Sequence, residues 1–325
     1  MKLDNSQLQF FVKKIKLRPD NMQVYRDQIS NLKQRLENKI KDDDRTGLKV
    51  TKYLLAGSWK KHTILRPTGD NPIDIDLVLF IEGDEDVQND LKKVHDFIVE
   101  YLEEIYPQKD IKKDVDKEGN KSIKIKFSGT GLEVDIVPVV PINKLGDYVW
   151  QPERGGGGKY ITSVSRQLDF ALGLRKSNSS YTSIVRMLKW WKNYKEINQT
   201  KNESGLSSFS IELIVAYLDI ECGVEDNIEE AVIRFFQFLS KPNFPVISFK
   251  NAINKVPEFD TPIFIADNTN NENNVAKKLN LAKWKEVIEE AEDAFDSLNF
   301  AQARNNEGDT IEEWKRVFGP TFGVK

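Results

Sequence analysis

Cysteine is almost missing from this chain of 325 residues: Cys222 stands alone, which excludes an intrachain disulfide and a cysteine-built zinc cage. Histidine is nearly as scarce. Only His62 and His95 occur, so a bound metal would rest mainly on oxygen ligands. No run approaches the roughly 20 apolar residues needed to cross a bilayer, and Met1-Lys2-Leu3-Asp4 opens without an apolar signal core. A cytoplasmic protein without a membrane partner is the expectation. An excess of positive charge is also lacking. With 48 basic and 51 acidic side chains the net charge is -3, which gives no strong nucleic-acid-binding signal. What is present, 39% hydrophobic and 30% charged residues, is an ordinary globular balance with ample core.

Apolar spacing changes along the chain. Phe10, Phe11 and Ile15, then Val24, Ile29, Leu32, Leu36 and Ile40, predict a short helix and a long one, separated where Pro19 follows Arg18. Tyr53 to Ala56, Ile73 to Ile81, Ser122 to Phe127 and Leu132 to Val140 predict strands. A helix over Val87 to Tyr106 and a turn at Glu118-Gly119-Asn120 lie between them. Gly155-Gly156-Gly157-Gly158 reads as a flexible loop, because no Gly-Lys-Ser or Gly-Lys-Thr follows it as in a phosphate loop. Helices are predicted beyond it at Thr162 to Leu174, Tyr181 to Tyr194, Ser207 to Ile220, Ile228 to Leu239 and Leu281 to Ala303. The Asn-dense Asp267 to Asn274 reads as a loop. This order predicts an α+β fold: N-terminal helices over 1–46, a mixed-sheet core over 47–158, and a helical C-terminal lobe over 159–325 joined to it.

The candidate chemistry is carried by carboxylates. Asp74 and Asp76 alternate with Ile73, Ile75 and Leu77, so in a strand both acids project to one face and the apolar side chains to the other. Two such acids repel each other unless a cation lies between them, and hard oxygen donors on a rigid strand suit magnesium. Asp135, inside the apolar Leu132 to Pro138, offers a third carboxylate of the kind a two-metal site needs. Glu133 would share its face. Gly57-Ser58, at the end of a strand, lets backbone N–H groups and a hydroxyl approach phosphate oxygens. Gly-Ser and Asp-x-Asp are each common, but a third acid within an apolar strand is costly without a partner.

This ordered set resembles the DNA polymerase β-type nucleotidyltransferases. More closely it is similar to the bacterial CD-NTases, the cGAS/DncV-like relatives of oligoadenylate synthase found in CBASS antiphage systems. The resemblance is carried by Ala56-Gly57-Ser58-Trp59-Lys60-Lys61-His62-Thr63, by Asp74-Ile75-Asp76-Leu77-Val78 and by Glu133-Val134-Asp135-Ile136-Val137-Pro138. Three later segments add to it: Val185 to Trp191, Ser208-Phe209-Ser210-Ile211-Glu212-Leu213, and Asp267 to Ala276, where Asn268 and Asn271 replace prolines. His62 departs from the small residue usual in the Gly-Ser loop.

The resemblance implies a polymerase β-type core with a helical C-terminal lobe, residues 1–46 bracing the two and the active site in the cleft between them, and an enzyme that binds two magnesium ions, or manganese, on Asp74, Asp76 and Asp135. Gly57, Ser58, Lys189 and Ser208 would hold the phosphates of ATP, or of GTP, UTP or CTP. The product would be a cyclic di- or trinucleotide second messenger, made with release of pyrophosphate. CBASS regulatory proteins, and an effector reached through the product, are the implied partners. Read without the resemblance, Lys189 is an ordinary lysine on an amphipathic helix, Ser208 caps a helix, and Trp190 and Trp191 are packing residues. Two other functions fit the motifs: a primer-dependent RNA or nucleotide-adding transferase, and a non-catalytic nucleotide-binding module. The presence of all three acids argues against the second.

Overall fold

The computed structural model describes residues 1–69, 71–83, 90–109, 111–113, 123–152, 158–197, 205–241 and 243–325. The features expected at Val87, at Glu118-Gly119-Asn120 and at Gly155 to Gly157 lie outside these residues. The chain divides into two compact units, Leu17–Leu168 and a second formed by Met1–Lys16 with Asp169–Lys325.

Helix α1 spans Asn5–Ile15. It opens on a reciprocal cap, in which Asp4 accepts from the Gln7 N–H and the Gln7 side chain accepts from the Asp4 N–H. Pro19 then begins a short 3-10 turn, and α2 follows as Met22–Lys41. Five strands come next: β1 Lys49–Leu55, β2 Ile73–Glu82, β3 Ile111–Lys113, β4 Ile123–Phe127 and β5 Leu132–Pro141. Helix α3, Gly57–Lys60, lies between β1 and β2, and α4, Leu91–Ile105, between β2 and β3. The strands pair in the order β1-β2-β5-β4-β3, and the sheet is mixed because β2 and β5 run parallel while the other pairs are antiparallel.

Alternation gives each central strand two unlike faces. Ile73, Ile75, Leu77, Leu79 and Ile81 of β2 join Leu132, Val134 and Ile136 of β5 in one core with Ile29, Leu32 and Leu36 of α2 and Val94, Ile98 and Leu102 of α4. The opposite face is apolar along only half its length. There Val78, Phe80, Val137 and Val139 pack with Ala56, Val149 and Val164. The other half of that face carries the acids.

A hairpin that sequence spacing did not reveal extends β5: β6 is Val149–Pro152 and β7 is Lys159–Thr162. Thr162 pairs with Val149 in it, so α5 runs over Val164–Ser177 rather than from Thr162. The Ser163 hydroxyl accepts from the Arg166 N–H at the helix start. The boundary between the units falls within α5. In the second unit, α6 spans Tyr181–Tyr194, α7 Ser208–Cys222, α8 Ile228–Leu239 and α9 Leu281–Ala303, close to expectation.

Two differences from the sequence reading occur there. The Asn-rich segment is not a simple loop but a short hairpin, β8 Ala266–Asp267 with β9 Asn270–Asn274. Its asparagines supply pairing that the backbone lacks: Asn271 accepts from the Phe249 N–H and donates to the Phe249 carbonyl, and Asn274 accepts from Ile265 and Ala276. A last helix, α10, Glu307–Phe318, was also not expected; Asn306 caps it by accepting from the Asp309 N–H.

Aromatic packing joins the termini of this unit. Trp314 is fully buried and stacks on Phe318 and Phe322 at 5.4 and 5.0 Å between ring centroids. Phe11 of α1 packs on Phe322 at 4.8 Å. Trp314→Ala should therefore cost about 3–5 kcal/mol of stability. Urea unfolding of the full chain checks this, and a loss below about 1 kcal/mol would contradict the packing.

Candidate active site

The parallel register of β2 and β5 sets Asp74 opposite Glu133 and Asp76 opposite Asp135. Because all four occupy alternate positions, they share the sheet face left uncovered by the second core. Antiparallel β4 then places Lys124 opposite Asp135 and Lys126 opposite Glu133. The result is a small array of four carboxylates beside two ammonium groups.

Lys124 sits among three of the acids. Its Nζ donates to Glu133 Oε2 at 3.2 Å and lies 3.7 Å from Asp74 Oδ1 and 3.6 Å from Asp135 Oδ1. Lys126 Nζ lies 3.3 Å from Glu133 Oε1. Desolvation is the main cause that pushes the Asp74 carboxyl up to about 6; Lys124 opposes it, and Asp76 and Glu133 add to it. Its side chain still exposes 47% of its surface, so solvent can reach it. Burial would raise Glu133 as well, but Lys124 and Lys126 outweigh that and hold it below its usual value. For Lys124, burial works against the charged form, and Asp135, Asp74 and Glu133 overcome it to raise the ammonium above its ordinary range.

Gly57 and Ser58 enter at the start of α3, directly after β1. Gly57 has φ +55°, and a Cβ there would collide with Asp76 Oδ2. Only glycine lets this backbone approach the carboxylate so closely. The turn is held where Thr63 N–H donates to the Ser58 carbonyl at 2.9 Å. His62, in place of the usual small residue, adopts φ +59°.

Lys189 and Ser208 lie in the second unit, on the packed helices α6 and α7. Lys189 is not an exposed helix lysine: it is buried, and its Nζ lies 3.7 Å from the equally buried Glu212 Oε1. Ser208 is not the cap either. Ser207 accepts from the Ser210 N–H at 2.9 Å, which leaves the Ser208 hydroxyl to accept from Lys192 Nζ at 3.0 Å. Lys192 is buried too, and no carboxylate among the described residues lies within ion-pair distance of it. Desolvation, then Lys189, lower it to about 7, with Glu212 opposing. Trp190 and Trp191 are packing residues. Trp190 donates to the Phe318 carbonyl, and Trp191 stacks edge-on with Phe236.

Sequence reasoning missed Lys124 and Lys192. The alternation Ile123-Lys124-Ile125-Lys126-Phe127 marks two lysines on one strand face, but not which strand lies beside them. Lys192 is three residues after Lys189, one helical turn along the same face.

Among the described residues, no three His, Cys, Asp or Glu side chains converge as a ready-made metal cage. The carboxylates stand around the Lys124 ammonium instead. The donor set nevertheless fits a hard divalent cation. It offers oxygen donors only, it carries negative charge in excess of its lysines, and a cationic group is already drawn among the acids.

A family model described as Second Messenger Oligonucleotide or Dinucleotide Synthetase domain matches residues 1–167. The chain is 31% identical over 327 residues to the CBASS oligonucleotide cyclase CdnC of Escherichia coli strain KTE188, covering 100% of this chain and 99% of that one. It is 29% identical to the cyclic AMP-AMP-AMP synthase of E. coli strain MS 115-1, over 92% of this chain and 91% of the relative. The solved CdnC of E. coli MS115-1 with ATP superposes with a TM-score of 0.78 at 28% identity, covering 98% of this chain and 99% of that chain. The same protein in complex with HORMA-deltaN gives a TM-score of 0.79 at 26% identity, covering 98% of both chains. No helix among the described residues is long and apolar enough to cross a membrane. A sheet that ends in paired acids, a glycine turn folded onto one of them, and a full-length match to a curated cyclase agree: this chain belongs to the second messenger oligonucleotide or dinucleotide synthetase family of nucleotidyltransferases, the cyclic oligonucleotide synthases of CBASS antiphage defence.

Proposed function

We propose that this nucleotidyltransferase joins ATP-derived nucleotides into its cyclic product at the β2–β5 carboxylates. The observation that carries this reading is the register that sets Asp76 beside Asp135 with Gly57 folded against Asp76. Divalent metals are typical of the family, and Asp74, Asp76 and Asp135 are the residues that would hold magnesium or manganese. When bound, such ions neutralise phosphate charge and make a ribose hydroxyl a better nucleophile.

This chain's own groups do the rest. Gly57 N–H and the Ser58 hydroxyl donate to phosphate oxygens, where close backbone approach requires glycine. Lys189, Lys192 and Ser208 offer two ammoniums and a hydroxyl to the triphosphate tail, and no carboxylate among the described residues lies within ion-pair distance of Lys192. Attack of the acceptor hydroxyl at the α-phosphorus forms the new ester bond and releases pyrophosphate. The names of the relatives support ATP as a substrate and a HORMA-type protein as a regulatory partner. Residues 47–158 act in this scheme as the catalytic core and 159–325 as the helical lobe.

Purified protein with magnesium and labelled nucleoside triphosphates should give a phosphatase-resistant product without added RNA. Products formed only with an RNA primer would sink the reading in favour of a tailing enzyme. Asp76→Asn should lower turnover by at least about a thousandfold while leaving the fold intact by circular dichroism. Gly57→Ala should be comparably inactive, because both its φ and its contact with Asp76 are lost to a Cβ.

Lys192 makes the affinity for nucleotide depend on pH. Its folded value of about 7 lies below the ordinary 10.5, so its contribution to stability is full above 10.5 and is lost as pH falls through about 7. A bound triphosphate pairs with the ammonium and restores it, so binding takes up a proton within that window. Affinity should weaken as pH rises above 7, by up to about tenfold per unit. Lys192→Arg should flatten the profile, and calorimetry in buffers of different ionisation enthalpy reads the proton directly.

A further inference from the structure

We propose that Lys124 is a built-in counter-ion of the carboxylate array, tethered on Glu133 and competing with the divalent cation for Asp74 and Asp135. The inference rests on reading those acids as the metal site and adds a determinant of how tightly that site holds a cation.

The geometry is asymmetric in a useful way. Lys124 hydrogen-bonds Glu133 at 3.2 Å, but stands 3.7 and 3.6 Å from Asp74 and Asp135, beyond good hydrogen-bond distance. It therefore lowers the mutual repulsion of the acids by its charge without using up their lone pairs. Glu133 is the anchor. It is engaged by both Lys124 and Lys126, its side chain exposes only 14% of its surface, and its register places it one pair away from Asp76 and Asp135. A fully compensated carboxylate in that position is poorly suited to ligate a metal and well suited to hold an ammonium.

Four carboxylates and two ammoniums leave an excess of two negative charges, so the site attracts a dication without collapsing when none is bound. Lys124 would be repelled by a divalent cation held on Asp74 and Asp135, and Glu133 would give the displaced ammonium a place to stay. Loss of Lys124 should then strengthen the pull on the metal. Loss of the Glu133 charge should weaken it, because Lys124 would settle between Asp74 and Asp135.

Manganese binding to the full chain without nucleotide tests this, with the electron paramagnetic resonance signal of free Mn2+ as the readout. Lys124→Met should bind about tenfold more tightly at low ionic strength, and Glu133→Gln more weakly by a similar factor. Lys126→Met, which removes a charge whose ion pair among the described residues is with Glu133, should stay within about threefold of the unaltered chain. Lys124→Gln serves if the methionine variant does not fold. General structural damage would weaken both the Lys124 and Glu133 variants, so opposite signs are the signature. An unchanged or weaker affinity in the Lys124 variants overturns the counter-ion role. If Asp76→Asn leaves the Mn2+ isotherm of the unaltered chain untouched, the metal reading itself fails.

Discussion

Negative charge gathered on one half of a sheet face is the constraint from which the arrangement of Leu17–Leu168 follows. Asp74, Asp76, Glu133 and Asp135 lie on two adjacent parallel strands, where bare carboxylates would repel each other strongly in a partly desolvated setting. The fold sustains them by making everything around them rigid or compensating. The opposite face of the same strands is packed against α2 and α4, so neither strand can twist to separate the acids. The far half of their own face is closed by valines, Phe80 and Ala56. On the third strand, β4 brings Lys124 and Lys126 to the positions that oppose Asp135 and Glu133. Strain is thus confined to a few side chains that a ligand can relieve.

In the helical unit two lysines one turn apart on α6, Lys189 and Lys192, are both buried. Lys189 has Glu212 beside it, whereas Lys192 donates to the Ser208 hydroxyl and no carboxylate among the described residues lies within ion-pair distance of it. An ammonium without a carboxylate partner is costly in a packed interior, and the lowered value of Lys192 is the expression of that cost.

Much of the fold was legible because its signals are local. Tyr181–Tyr194, Ile228–Leu239 and Leu281–Ala303 are helices with clear apolar spacing and bounded ends. The β6–β7 hairpin is short and lies beside a glycine run that draws the eye to a loop. The β8–β9 hairpin is built of residues that ordinarily mark turns, and it exists because asparagine side chains stand in for backbone partners. Helix α10 depends on a tertiary aromatic cluster with Phe11 and Phe322 that no window of the sequence contains. The cap at Ser207 shows the finer limit: two adjacent serines offer the same chemistry, and only the backbone geometry selects one.

The sequence by itself determined which residues are candidates for the chemistry. Alternation forces Asp74 and Asp76 to one face, an acid within an apolar strand demands a cationic partner, and glycine before serine at a strand end permits close approach to phosphate; each is a property of a few consecutive residues. Tertiary structure alone decided what stands beside them. Register between β2, β5 and β4 made Glu133 an anchor and Lys124 the neighbour of three acids, and helix packing placed Lys192 rather than Lys189 on Ser208. Strand order and helix packing join residues far apart in the chain, and the electrostatics of a site depends on distances that sequence spacing does not encode.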